Sequence, residues 1–255
     1  MGKTRIILCG ACGKMGGNVL ALLSDDENAT AVCGVDLYPK EIGIPVYTSF
    51  NDIKQEADVI IDFSSPIGLI ERLEYAKTHK LGIVLASTGF SAEDLALIES
   101  YAKDIAIFKT ANLSLGVNLM QALCKAATQV LGERYDVEII EKHHNLKKDA
   151  PSGTALMLAD SINEVFDEKK TLVHGREGMV GARTKKEIGM HAVRGGTIVG
   201  EHEVIFAGED EVITISHSAT SKRVFATGAI QASKFLKGKV AGMYEMKHLL
   251  AAENA

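Results

Sequence analysis

Tryptophan is absent from the 255-residue chain, and phenylalanine and tyrosine together make up only 5% of it. So few aromatics argue against a platform on which single-stranded bases would stack. The four cysteines are scattered and too few for a disulfide framework, so a reducing cytoplasm is the expected compartment. No apolar run approaches the roughly 20 residues that cross a bilayer, which excludes a membrane-spanning helix. The opening Met1-Gly2-Lys3-Thr4-Arg5 passes straight into Ile6-Ile7-Leu8, without the pattern of a signal peptide. Acidic side chains outnumber basic ones 33 to 28, for a net charge of -5, so the footprint of a nucleic-acid binder is missing too. What is present is ordinary for a globular protein. At 46% hydrophobic and 24% charged, the chain is not disordered as a whole. Its length allows one large domain or two modest ones.

The first half alternates between strand-length apolar runs and segments of helical character. Strands are expected at Arg5–Cys9, Ala31–Val35, Val59–Asp62, Gly82–Leu85 and Ile105–Lys109, and helices at Lys14–Leu23, Pro66–Thr78 and Ala92–Lys103. Runs that are apolar throughout fit a parallel sheet covered on both faces, here a doubly wound, Rossmann-like α/β fold. Residues 36–51, with two prolines, read as irregular surface chain. The second half differs. A helix at Leu115–Leu131, a strand at Asp136–Glu141, a polar loop and a helix starting near Ser152 precede a charged, glycine-rich stretch, Phe166–Ile188, expected as a long mobile loop. Met190–Arg194, Ile198–Phe206 and Glu211–Ser218 then read as an antiparallel meander, followed by a helix at Ser221–Phe235. The second unit is therefore expected to be a smaller α+β domain with an open mixed or antiparallel sheet.

The segment Gly10-Ala11-Cys12-Gly13-Lys14-Met15-Gly16 joins the first strand to the first helix. Glycines there let the backbone turn tightly and approach a pyrophosphate, and the helix N-terminus adds N–H donors and a positive dipole end. The spacing is G-x-x-G-x-x-G, not the usual G-x-G-x-x-G. Two features favour dinucleotide binding over a plain strand-to-helix turn: the loop follows the first strand, and Asp36 ends the second, where a ribose-binding acid belongs. A carboxylate there repels a 2′-phosphate and so favours NAD, and the next residue, Leu37, brings no compensating cation; Lys40 is the nearest one. Cys9 and Cys12 form C-x-x-C, but no second pair follows, and small residues packing a turn explain them better than zinc or redox chemistry. Further polar loops, Ser87-Thr88-Gly89 and Thr110-Ala111-Asn112-Leu113-Ser114, lie at the carboxyl ends of later strands, where such sheets bind ligands.

The run Glu141–Ala155 crowds His143, His144, Lys147 and Lys148 against a helix start marked by Pro151, Ser152 and Thr154. Bare N–H groups at that start and the neighbouring cations suit a carboxylate-bearing substrate, and a histidine beside lysines suits proton transfer near neutrality. A metal site is disfavoured, because adjacent strand residues such as His143 and His144 point to opposite faces and no third ligand lies nearby. Arg194 and His217 are further cations, as well placed for the surface as for a ligand.

Together, the glycine loop, Asp62-Phe63-Ser64-Ser65-Pro66, Ser87-Thr88-Gly89-Phe90, Asn112–Asn118, Glu141–Ala155 and Val193–Glu203 resemble the 4-hydroxy-tetrahydrodipicolinate (dihydrodipicolinate) reductases over essentially the whole chain. The resemblance implies a cytoplasmic homotetramer that passes hydride from NAD(P)H to a cyclic, unsaturated dicarboxylate, giving tetrahydrodipicolinate on the diaminopimelate route to lysine. By position it makes His143 the proton donor and acceptor and Lys147 its cationic partner, with His144, Ser152, Gly153 and Thr154 on the substrate carboxylates. Gly10, Ala11, Cys12, Gly13, Lys14, Met15 and Asp36 would line the cofactor, with Ala86, Ser87 and Thr88 and with Thr110, Ala111, Asn112 and Leu113. Residues 1–114 and 221–255 would form the nucleotide domain, and 115–220 the substrate-binding and oligomerisation domain. Leu37 stands where NADPH-using members often carry a basic residue, so NADH is the expected reductant and NADPH the second candidate. Leu113 replaces a frequent phenylalanine. A phosphorylating semialdehyde dehydrogenase would need a cysteine in a polar substrate loop, and an NAD-sensing regulator would need a recognition surface; neither is visible.

Overall fold

Ile7, Ile60, Ile83 and Ile107 lie side by side on four parallel strands with no solvent exposure, and the first unit is built around that row. In a computed structural model describing residues 2–253, this unit runs to Ser114 and resumes at Arg223, and a second comprises Leu115–Lys222. The first unit contains β1 (Thr4–Cys9), α1 (Lys14–Leu23), β2 (Ala29–Val35), β3 (Val46–Tyr47), β4 (Val59–Asp62), α2 (Leu69–Thr78), β5 (Gly82–Leu85), α3 (Ala92–Tyr101) and β6 (Ala106–Lys109). The isoleucine row packs with Leu69, Leu73 and Ala76 of α2 and Ile98 of α3. Ser91 and Asp94 form a reciprocal capping box that starts α3.

The second unit contains α4 (Leu115–Leu131), β7 (Asp136–His143), α5 (Gly153–Asn163), β8 (Thr171–His174), β9 (Glu187–Arg194), β10 (Gly200–Ala207) and β11 (Val212–Ala219). Its sheet has the order β11-β10-β7-β9-β8. Burial alternates strictly along β7 and β10, so one face is covered and the other open. Val137, Ile139, Val204 and Phe206 of the covered face pack on Met120, Cys124, Leu158 and Ile162 of α4 and α5.

The chain then returns to the first unit through α6 (Arg223–Leu236), β12 (Gly242–Tyr244) and α7 (Met246–Glu253). The strand β12 extends the first sheet beside β6, giving the order β12-β6-β5-β4-β1-β2-β3. The helix α6 packs on α1 and on β4, β5 and β6, covering the face opposite α2 and α3. Both faces of a parallel sheet are thus buried, as its unbroken apolar strands require.

Several expectations are corrected. Residues 36–51 are not wholly irregular, since Val46 and Tyr47 pair in parallel with Gly34 and Val35. The helix α2 starts at Leu69 instead of Pro66, because Gly68 enters the left-handed region at φ 77°. The strand β7 continues past Glu141 to His143. Within the charged stretch 166–188, residues 175–186 form the exposed, irregular loop expected, but Thr171–His174 form β8, Glu187 begins β9, and Arg176 and Arg183 of the loop both bind Glu138. Burial raises the Glu138 pKa, but hydrogen bonds from Arg176, His191 and Arg183 outweigh it and pull the carboxyl down to about 2. Lys170, Arg176, Arg183, Lys185 and Glu187 all have partners, so charge density there does not by itself signal mobility. Nor do the last three strands form a meander. Only β10 and β11 make a hairpin, whereas β9 pairs in parallel with β7 and β8.

Within α6, a Cβ on Gly228 would overlap the carbonyl oxygen of Leu113. Backbone cannot retreat as a flexible side chain can, so Gly228→Ala should destabilise the protein by on the order of 1–3 kcal/mol. Urea unfolding of variant and parent checks this, and an unchanged midpoint would contradict the tight approach.

Candidate active site

In the first unit, β1 has β2 on one side and β4 on the other, so the strand order reverses there and a crevice opens at the carboxyl ends. The glycine loop lies at that point. Gly10 has φ 72°, and a Cβ on it would come within 2.9 Å of the Phe63 carbonyl oxygen; one on Gly16 would strike the Ala11 carbonyl. The turn is therefore restricted to glycine at both places. Gly13 is the N-cap of α1 and contributes no side chain to the helix end. Asp36 follows β2 directly and accepts hydrogen bonds from the backbone N–H of Cys12 (2.9 Å) and Tyr38 (3.0 Å), which fixes the acid against the loop.

Neighbouring strand ends are braced in the same way. Asp62, fully buried, pairs with Arg72 at 2.9 Å and accepts from the Ser64 N–H at 3.0 Å. Arg72 also donates to the Ile67 carbonyl, so one ion pair holds the whole 63–67 loop. Ala86 donates its N–H to the Asp62 carbonyl, and Ser87 lies beside the Asp62 carboxylate. Thr110 donates to the Asn112 carbonyl, and the Asn112 side chain accepts from the Ser114 N–H. Leu113 is buried, whereas Thr88 and Ala111 are exposed. The loop has the backbone freedom and the acid that a dinucleotide needs.

In the second unit, the two-residue period that buries Val137 and Ile139 continues to Glu141 and His143. His202 falls in line behind Val204 and Phe206 on β10, and Arg194 is the partner of His143 on β9. The apolar inner face thus gives way to a polar cluster at one end of the sheet. Glu141, 1% exposed, anchors it. Its Oε2 accepts from Arg194 Nη1 (2.8 Å) and lies 2.6 Å from His143 Nδ1, and its Oε1 accepts from Arg194 Nη2 (2.8 Å) and the Ser152 N–H (3.0 Å). Burial would raise the Glu141 pKa, but Arg194, His143 and the Ser152 N–H together hold the carboxyl below its ordinary range.

Ser152 is the N-cap of α5. Its Oγ accepts from the Ala155 N–H and lies 3.0 Å from His202 Nε2. The rings of His143 and His202 meet edge to face at 5.2 Å. The Ala150–Pro151 peptide is cis. Lys147 binds both carboxylate oxygens of Asp149 at 2.9 Å instead of touching His143, and it holds the Asp149 carboxyl down. His144 is half-buried, and its Nδ1 has no hydrogen-bond partner among the described residues. Gly153 is exposed at the helix start, and Thr154 follows it half-buried.

The structure therefore brings His143 and Ser152 together through Glu141 and seats Lys147 on a separate ion pair. Sequence reasoning missed Glu141, Arg194 and His202 as members of the cluster, and Arg194, taken to be as well placed on the surface, clamps Glu141 instead. The alternation Val137, Ile139, Glu141 within the expected strand already places Glu141 on the buried face, and carrying the strand to its end would have added His143. Arg194 and His202 depend on strand pairing that no local pattern encodes.

The N-terminal family model of dihydrodipicolinate reductase matches residues 4–113, and the C-terminal model matches 116–250. The chain is 50% identical over 246 residues to the 4-hydroxy-tetrahydrodipicolinate reductase of Caldanaerobacter subterraneus subsp. tengcongensis, covering 96% of this chain and 98% of the relative. The enzyme of the same name from Clostridium tetani is 47% identical, with 96% of each chain covered. Among solved structures, a dipicolinate-bound dihydrodipicolinate reductase from Paenisporosarcina sp. TG-14 superposes with a TM-score of 0.77 at 25% identity, over 95% of this chain and 97% of that one.

Burial, and then the neighbouring His143, lower the His202 pKa from 6.5 to about 4. Between those values the unfolded chain takes up a proton that the folded chain refuses, so His202 supports stability above about pH 6.5 and withdraws that support as pH falls towards 4. From pH 7 to 5 the loss should be roughly 2 kcal/mol. His202→Gln should flatten this part of the stability profile in urea titrations at the two pH values, and an unaltered slope would exclude His202 as its source.

Proposed function

The chain belongs to the dihydrodipicolinate reductase family and is an oxidoreductase with an NAD(P)-binding Rossmann-type domain; on that premise we propose that it reduces a cyclic, unsaturated dicarboxylate to tetrahydrodipicolinate on the diaminopimelate route to lysine, drawing on NADH in preference to NADPH. The observation that carries this reading is the coupling of His143 and the start of α5 through one buried carboxylate: a proton donor and an anion-binding helix end share an anchor.

A dinucleotide suits the first unit because Gly10, Gly13 and Gly16 leave the loop without side-chain bulk and Asp36 is fixed beside it. Lys14 and Met15 begin the helix whose N-terminus would face the pyrophosphate. Asp36 would take the ribose hydroxyls, with Ala86, Ser87 and Thr88 and the 110–113 loop along the same strand-end edge. When bound, the reduced nicotinamide supplies the hydride.

The second unit would hold the dicarboxylate. Gly153 and Thr154 present the N-terminus of α5 to one carboxylate, and His144, whose Nδ1 has no hydrogen-bond partner among the described residues, would contribute its other ring nitrogen. Lys147 exchanges Asp149 for a substrate carboxylate, trading one anion for another at the same ammonium. These cations stabilise the negative charge that hydride addition to a conjugated imine places on the ring. His143 then delivers the proton. The resemblance also supports a cytoplasmic homotetramer, for which the open outer face of the five-stranded sheet, with Val193 and Val212 exposed, offers a surface.

His143→Gln should lower kcat by about 10²- to 10⁴-fold while NADH binding, followed by nucleotide fluorescence, stays near the parental value. Lys147→Ala should lower kcat and also raise KM for the dicarboxylate. Full turnover in both variants would remove these roles. In a coupled assay with freshly made substrate, kcat/KM should be higher with NADH than with NADPH, because Asp36 repels the 2′-phosphate and the exposed Leu37 offers it no cation. Equal values would refute that argument.

A further inference from the structure

We infer that Glu141, clamped by Arg194, is the positioning residue that fixes the tautomer of His143, so that Nδ1 always carries a hydrogen and Nε2 is the nitrogen that gives up the proton. The inference deepens the proposed function, since it rests on His143 being the proton donor.

A carboxylate is an acceptor only, and its two oxygens offer about four lone-pair positions. At Glu141, three of these go to fixed donors that cannot reverse their role: the two guanidinium nitrogens of Arg194 and the Ser152 N–H. The fourth partner is His143 Nδ1 at 2.6 Å. With acceptors only on the Glu141 side, that nitrogen must donate. The opposite ring nitrogen is flanked by Gly200, where even a Cβ would come within 3.1 Å of Nε2. A residue without a side chain therefore borders the atom from which the proton leaves.

Arg194 has a separate task. Its bidentate grip keeps Glu141 ionised in a site that is 1% exposed, and Nη2 also donates to the Asp149 carbonyl at 2.7 Å. The charged and titratable groups around His143 are Glu141 on its own strand, Arg194 on β9, His202 on β10 with His217 beyond it on β11, and Lys147 with Asp149 ahead of α5. Among them Glu141 alone is an anion in contact with the ring. In Glu141→Gln an amide nitrogen can face Nδ1, which then becomes an acceptor and moves the hydrogen to Nε2.

Long-range ¹H–¹⁵N spectra of the histidine-labelled protein, recorded at alkaline pH and assigned with His143→Gln, read the tautomer without any assay. The expected pattern for His143 is Nδ1–H with an unprotonated Nε2, changing in Glu141→Gln; an Nε2–H tautomer in the parent protein overturns the inference whether or not any variant folds. In kinetics, Glu141→Gln should lower kcat by about 10²-fold or more, by analogy with amide replacement of the orienting acid in catalytic triads. It should also shift the alkaline limb of kcat/KM to lower pH, because fewer molecules then hold the proton, and Glu141→Asp should recover part of both. A kcat within about twofold of the parent and an unmoved limb would overturn it. Should His143→Gln retain turnover, the functional reading fails instead, and the tautomer result stands apart from it.

Discussion

One buried negative charge organises the second unit. Without partners, a carboxylate as enclosed as Glu141 would be strongly unfavourable, so the surrounding structure has to bring donors to it. They come from three separate places: Arg194 from β9, the Ser152 N–H from the start of α5, and His143 from the same strand two residues on. Each is thereby held in place. The requirement to satisfy one anion fixes where the helix begins and how the imidazole is turned. Removing any donor leaves the others around a carboxylate that is short of partners.

The first unit applies the same logic to its loops. Asp36 binds the Cys12 N–H, and Asp62 binds Arg72 and the Ser64 N–H, so two acids that end strands brace the loops along the carboxyl edge of the sheet. Loops on such an edge must be irregular enough to meet a ligand yet fixed enough to be ready for it. Side-chain carboxylates reconcile the two demands by accepting from backbone that the sheet cannot pair.

Much of the fold was legible because its signals are local. The strands β4 and β5 and the helices α1 and α4 begin and end where the apolar pattern places them, and the glycine loop with Asp36 stands out from spacing alone. The strand order of the second sheet did not stand out. Three successive strands with turn signals look like a meander, but β9 joins β7 in parallel, a pairing between residues about fifty positions apart that leaves no trace in either segment. The same pairing brings Arg194 to Glu141. The stretch 166–188 misled for a different reason: arginines and glutamates look solvated in sequence, and only the fold reveals that Arg176 and Arg183 converge on Glu138.

The interrupted layout of the first unit has a bearing on biogenesis. Residues up to Ser114 supply six strands, with α2 and α3 on one side of their sheet and α1 on the other, while α6, which packs beside α1, follows only after the whole second unit. The second unit, by contrast, is a single uninterrupted stretch. On the ribosome, every strand and helix of the later-starting unit is already available while the earlier one still has a partly bare apolar flank, and that flank is closed only when α6 emerges.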